Sequence, residues 1–371
     1  VQGPARTGIV ALAVCSAILA TDARVAAEAD EVRAGTLVRF DTDGTTVVSP
    51  SARARVEVLD EETHVDAEYV ADVWTSASID VRTAATVAVH EQRDEINAGV
   101  DHRFDDFLVR GGYRFSTEND YQANGGVIAG SLDLEQHTGQ IELRLTAEHD
   151  QVGRSGDQTF SRPLTLLGGR LAYTQILDPQ MLVQVAYELG HAEGFQSSPY
   201  RFVGIGGDGR CGGSALLCVP ESHPSLRTRH AFVIRARRAF DDQLSADVDY
   251  RFYIDDWGLY ANTIAAQLNW MHDEHGLVAL RYRFHQQGAA AFYRRTYPTP
   301  TGTLQYVSRD RELSSLFTHR VALSYERRIE IGEIIVRVAA ALGGTYLVYQ
   351  EFVGLDEVFA LDATVSLGVQ L

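Results

Sequence analysis

Between Leu244 and Asp256 the chain reads LSADVDYRFYIDD, apolar and polar by turns. Leu244, Ala246, Val248, Tyr250, Phe252 and Ile254 fall on one side, and Ser245, Asp247, Asp249, Arg251, Tyr253 and Asp255 on the other. Side chains of a β-strand alternate between faces, so this is a strand with one greasy and one heavily charged face. The pattern recurs. QIELRLTAE sets Ile141, Leu143, Leu145 and Ala147 against Glu142, Arg144, Thr146 and Glu148. FLVRGGYRF sets Phe107, Val109, Tyr113 and Phe115 against Arg110 and Arg114, and VALRYRFH sets Val278, Leu280, Tyr282 and Phe284 against Arg281, Arg283 and His285. No helical stripe longer than two turns accompanies them, so the chain reads as all-β.

Strands are expected over 36–42, 46–59, 64–74, 92–103, 107–116, 122–134, 139–152, 164–177, 181–191, 228–240, 244–254, 259–272, 277–286, 315–327, 333–349 and 358–371. Many exceed the ~5–6 residues of an average soluble strand and match the ~9–11 that cross a bilayer. The connections alternate in length. DEET (60–63), FDD (104–106), QHTG (136–139), LDPQ (177–180), FDDQ (240–243), DEHG (273–276) and RIEIG (328–332) read as tight turns, while 75–91, 153–163, 192–227 and 287–314 are long and all fall at one end. Short turns opposite long loops are the pattern of an outer-membrane barrel. In that case the apolar faces meet lipid and the charged faces line a watery lumen. A soluble sandwich would do the reverse. The last stretch, FALDATVSLGVQL, alternates up to Leu371 and fits a closing strand, with Leu371 where such barrels usually carry an aromatic residue. The expected fold is therefore a single up-and-down antiparallel transmembrane barrel of about sixteen strands, since backbone groups in hydrocarbon must all be paired.

The amino-terminal stretch differs. An apolar run from Gly8 to Ala20 follows Arg6 and leads into small residues, as in a secretory signal peptide. The expected division is a signal peptide over 1–27 and a barrel over 28–371, with Cys15 leaving in the signal. The formal charge of −17 argues against nucleic acid as a partner. No stretch of eighteen or more apolar residues reads as a helical span. Cys211 and Cys218, in the Gly-rich GDGRCGGSALLCVPES, suit a disulfide in an exported chain. Two cysteines alone do not complete a zinc site.

Several strings carry a resemblance. YRFYIDDWGLYANT (250–263), EGFQSSPYRFV (193–203), ALRYRFHQQGAAAFY (279–293) and DVWTSAS (72–78) resemble a family of uncharacterised Gram-negative outer-membrane barrels known under a domain-of-unknown-function label. The similarity runs from about Val65 to the carboxyl terminus. It implies an outer-membrane location and no reaction. The family's usual Gly-Tyr-Leu string is replaced here by Gly194, Phe195 and Gln196, and the loop holding the two cysteines looks like a local insertion.

Candidate lumen groups are Arg110, Arg114, Glu142, Arg144, Glu148, Asp247, Asp249, Arg251, Arg281, Arg283, Arg320, Glu326 and Arg337. Rings of such charges set ion selectivity in pores, and ladders of ion pairs can equally brace or fill a lumen. Candidates at the outer mouth are Tyr200, Arg201, Asp255 and Asp256; Trp257 and Tyr260 read as serving aromatic-belt anchoring at headgroup level and loop folding. HDEH (272–275) and DTDG (41–44) read as turns rather than metal sites. His102 and His319 face outward by parity, with no nucleophile motif near either, so a lipid hydrolase is a minor reading. No cofactor is expected. Expected partners are outer-membrane lipid and lipopolysaccharide, the outer-membrane assembly machinery and a periplasmic partner. The functional expectation is a channel or conduit for polar or charged solutes, against a plugged structural barrel that docks a partner.

Overall fold

A computed structural model describes residues 30–76, 89–134, 137–298 and 305–371. The signal-peptide expectation over 1–27 lies outside them. The first nine strands are β1 (Glu31–Asp41), β2 (Thr45–Val58), β3 (Asp60–Ser76), β4 (Val89–Phe104), β5 (Phe107–Thr117), β6 (Tyr121–Leu134), β7 (Gly139–Val152), β8 (Arg162–Asp178) and β9 (Met181–Gly194). Two short strands follow, β10 (Phe202–Ile205) and β11 (Leu217–Pro220), which form a separate two-stranded sheet. The remaining strands are β12 (Leu226–Ala239), β13 (Leu244–Asp255), β14 (Tyr260–Asp273), β15 (Gly276–Gln287), β16 (Leu316–Ile331), β17 (Ile334–Tyr349) and β18 (Glu357–Gln370).

Sixteen strands, all except β10 and β11, pair in antiparallel order and close through β1 against β18, from Glu31 opposite Gln370 to Asp41 opposite Ala360. Closure leaves no backbone edge unpaired, which is what a sheet surrounded by hydrocarbon requires.

Which face is concave can be read from the ion pairs. Arg281 on β15 reaches Asp249 on β13, Arg320 on β16 reaches Asp362 on β18, and Arg55 on β2 reaches Asp101 on β4. Each pair passes over an intervening strand, roughly 10 Å from end to end at ~4.8 Å per strand spacing. Curvature brings such groups together only on the inside. The charged faces therefore line the lumen, and the apolar faces point out: Leu280, Leu323, Leu342 and Val365 are 49%, 53%, 61% and 60% exposed. In the first-quoted strand, Ile254 is exposed while neighbouring Asp255 is buried. Among the described residues there is no dry centre of packed aliphatic rows.

Because neighbours are antiparallel, successive connections fall at alternate ends. One end carries residues 59, 105–106, 135–138, 179–180, 240–243, 274–275 and 332–333; the other carries 42–44, 77–88, 118–120, 153–161, 195–225, 256–259, 288–315 and 350–356. All the long connections share the second end, here the loop end. Some bounds differ from the sequence expectation. DEET is inside β3, and the turn before it is Leu59, at φ 71°. β16 runs on through RIEI to Ile331, so that turn is only Gly332 and Glu333. β1 begins at Glu31 because Val32 and Ala34 continue the outward row opposite Val369 and Leu367 of β18.

Candidate functional site: a charged lumen beneath interlocked loops

Every lumen candidate occupies an inward position, and most are tied sideways into the wall. Arg110 lies 2.6 Å from Asp66 and 3.0 Å from Asp101. Asp101 also receives both terminal nitrogens of Arg55, at 2.9 and 3.0 Å. A Cβ on Gly99 would lie 2.6 Å from the Arg110 Nη2, so a glycine leaves room for this mesh. Arg114 bridges Glu95 and Glu148, at 2.8 and 2.7 Å. Glu142, Arg170, Glu188 and Arg251 form a chain across β7, β8, β9 and β13, with steps of 3.0, 3.8 and 3.0 Å. Asp247 pairs with Arg237 at 2.5 Å, and Asp249 with Arg281 at 3.1 Å. Arg320 holds Asp362 through both terminal nitrogens, and Arg337 donates to Gln370 at 3.0 Å. Arg144, Glu326 and Arg283 make no hydrogen bond or ion pair among the described residues, and the Arg144 Nε is buried. Sequence reading missed Asp66, Asp101, Glu188 and Asp362, the carboxylates that hold these arginines. Their inward parity was the available signal, since each alternates with outward apolar neighbours.

The loop end is not an open ring of strand tips. The described parts of the β15–β16 loop, 288–298 and 305–315, fold inward: Ala290, Tyr293 and Leu313 pack with Trp257 and Phe352 on Ala261, Leu316, Tyr349 and Val358. Those last four sit on inward positions near the ends of β14, β16, β17 and β18. The two longest loops are joined by two β-bridges, Ile205 with Tyr297 and Ser222 with Val307. Val203, Ile205, Tyr297 and Val307 make a second small apolar core there.

Glu221 is the polar centre of this cap, and its side chain has no solvent exposure. It accepts from Arg201 at 3.1 Å, from the Ser308 hydroxyl and the Arg309 N–H at 2.9 Å each, and from the Ser198 N–H at 3.2 Å. The His223 Nε2 lies 3.4 Å away. Burial pushes its carboxyl up, but Arg201, His223 and the Arg309 N–H outweigh burial and hold it well below the usual carboxylate range. Arg201 also reaches Asp310 at 3.2 Å. Further ties spread around the rim. Tyr200 donates to Asp120 and accepts from the Ser155 N–H, Arg309 donates to the Val353 carbonyl at 2.7 Å, and Arg311 pairs with Asp43 at 2.6 Å. Two residues before Asp120, burial, helped by Asp120, Glu91 and Asp72 and opposed by Arg93, pushes the Glu118 carboxyl up to about 7.

The four mouth candidates thus do not form one cluster. Tyr200 and Arg201 belong to the cap. Asp255 accepts from Arg227 at 2.9 Å and from the Leu259 N–H at 2.9 Å, and Asp256 accepts from the Thr228 N–H at 2.9 Å; both brace the hairpin between β13 and β14. Trp257 corrects the belt expectation. It is 5% exposed, its indole N–H donates to the Leu226 carbonyl at 2.8 Å, and Arg227 lies 4.2 Å over its ring. The hairpin turns it inward, where a polar edge and an apolar body both find partners. Tyr260 is 53% exposed on the outer face. Outward His102 and His319 contact the Thr63 hydroxyl and the Tyr282 hydroxyl, each at 2.8 Å. Cys211 and Cys218 form a disulfide in the β10–β11 hairpin, with Cα atoms 5.7 Å apart.

Comparison with known proteins gives a fold and a family signal but no assigned activity. No curated protein matches the sequence. Among solved structures, one described as a bacterial polysaccharide outer membrane secretin is similar with a TM-score of 0.55 at 10% identity, over 93% of this chain and 99% of that one. CdiB from Acinetobacter baumannii matches at 0.49 and 6% identity over 91% and 60% of the two chains. The Pseudomonas putida toluene transporter TodX matches at 0.42 and 9% identity over 92% and 89%. At such identities the likeness is one of fold, and the fold resembles Gram-negative outer-membrane barrels. Residues 165–340 match the family described as "Protein of unknown function (DUF3570)", a shorter reach than the stretch from Val65 onward that the local strings suggested.

Proposed function

We propose that this chain is an outer-membrane conduit for polar or charged solutes, with the long loops outside the cell and the tight turns in the periplasm. The observation that carries this reading is the inversion of the sheet, ionic within and aliphatic without, in a hoop with no open edge. Lipid and lipopolysaccharide would meet the outward rows of Leu, Val and Tyr. Sixteen strands give a diameter that leaves an aqueous channel where side chains and loops do not fill it. The interlocked cap sits where solute would enter or leave, so it sets access. The test is conductance of the folded full chain in planar bilayers, with Glu221→Ala to loosen the cap. Discrete current steps that grow larger or more frequent in Glu221→Ala support the conduit. A folded, heat-modifiable protein silent in both forms would exclude it. The packing of Trp257, Tyr293 and Phe352 favours a second reading, a plugged barrel that docks a periplasmic or surface partner. Silence in both forms, together with stable co-purification of one partner, would select it.

A further inference from the structure

The lumen wall between β13 and β16 has a local charge imbalance in an otherwise acidic chain. Register places Arg283 of β15 directly opposite Arg320 of β16, and like charges facing across a sheet repel. On its other side Arg283 faces Ala265 of β14, and the next inward pair on those strands is Thr263 with His285. Ala265 and Thr263 carry no charge and are almost fully covered. Beyond them on β13 stand Asp249 and Arg251. Each neighbouring guanidinium already has a carboxylate: Arg251 has Glu188 at 3.0 Å, Arg281 has Asp249 at 3.1 Å, and Arg320 has Asp362 at 2.7 Å. Arg283 has no hydrogen bond or ion pair among the described residues, and it is half-buried rather than extended into bulk water.

A second cation on the same wall repeats the situation nearer the loop end. The Nε and Nη2 of Arg229 on β12 are buried without a partner, because the adjacent Arg227 has taken Asp255. Arg283 and Arg229 are thus both held on this side of the lumen without a carboxylate partner among the described residues, Arg229 under the cap and Arg283 farther from it. A guanidinium presents a planar fork that fits two oxygens of a carboxylate, phosphate or sulfate group, and its charge does not titrate away.

We propose that Arg283, supported by Arg251 and Arg320, is a binding site for an oxyanion group carried by the transported solute, with Arg229 a further step toward the cap. This deepens the conduit reading and rests on it for the role in transport, although binding itself does not require current. The chemical class is an anionic solute bearing carboxylate, phosphate or sulfate. The site favours its passage over that of cations.

Two measurements on the folded full chain separate the ideas. In detergent at fixed ionic strength, inorganic phosphate, sulfate and acetate are titrated against chloride while the thermal unfolding midpoint is followed. At least one oxyanion should raise the midpoint in the unsubstituted protein. The rise should vanish in Arg283→Gln and largely survive in Arg283→Lys, and the strongest of the three identifies the group. No rise with any of them, or an equal rise in Arg283→Gln, overturns the site. In bilayers under a salt gradient, the reversal potential should show anion preference, reduced several-fold in Arg283→Glu. Cation preference in the unsubstituted protein overturns the selectivity. Absence of any current removes the conduit reading and leaves the phosphate, sulfate and acetate titration to decide the site alone.

Discussion

Glu221 shows how one side chain can govern a region far larger than itself. Its carboxylate joins the segment around Ser198 and Arg201 to the segment around Ser308 and Arg309, about a hundred residues later in the chain. Removing one partner of a buried ion pair typically costs ~3–5 kcal/mol, because the other is left without compensation. Glu221→Ala should therefore open the cap locally, with hydrogen exchange rising over 196–224 and 305–312 and staying unchanged in β2 through β7. The pH dependence has a definite sign. A carboxyl held low in the folded state stabilises above its unfolded value of ~4.3, and that stabilisation is lost as pH falls below it. Glu118 has the opposite sign. Its folded value, pushed up to about 7, favours the protonated form, so stability is highest in acid and falls as pH rises from ~4.3 to about 7. Intrinsically corrected exchange of the amides near 118–121 should quicken over that interval, and Glu118→Gln should abolish the trend. A flat wild-type profile would refute the assignment.

At the scale of elements, the strands were legible because alternation carries its own physical cause. A face that meets one solvent and a face that meets another must differ residue by residue, and Val248, Tyr250 and Ile254 against Asp247, Asp249 and Arg251 record that difference. Arginine at outward Leu280 should cost ~2–4 kcal/mol if that position lies at mid-bilayer, measured by urea titration of folding into lipid vesicles. The same substitution at inward Ala279 should cost far less; equal penalties would argue against the inside-out arrangement. The short strands β10 and β11 were not legible, since four residues each carry too little pattern to rise above loop. The cap was illegible for a different reason. Glu221, Ser308 and Arg309 meet through tertiary folding of two loops, and no spacing within either loop announces the meeting. Trp257 was misread because an aromatic residue beside a strand end fits both a headgroup belt and an inward hairpin, and only the position of Arg227 decides. All thirteen lumen candidates sit at inward positions, but their carboxylate partners lie on strands up to four places away in the chain, as Glu188 of β9 does from Arg251 of β13.

For the whole molecule, the closed hoop and the tied loops divide the labour. The hoop satisfies the backbone wherever lipid surrounds it, and the cap brings apolar packing to the one end where long connections gather. The seam between β1 and β18 brings together residues more than three hundred positions apart, as Glu31 does with Gln370. Contacts so distant in the chain form late, because much chain entropy must be surrendered before they bring any gain. Until they form, two strands present raw hydrogen-bonding groups to the membrane, and the half-built protein is poised to snare another strand instead of its own. The fit at the join is close: a Cβ on Gly35 would lie 3.0 Å from the Ser366 Cβ and the Val365 carbonyl oxygen. Gly35→Val should lengthen the time to the heat-modifiable form in vesicles more than it lowers the final yield. The last seam to be sewn is thus the one whose delay leaves the chain most open to capture, and a cell making this protein must shelter that interval or lose molecules to it.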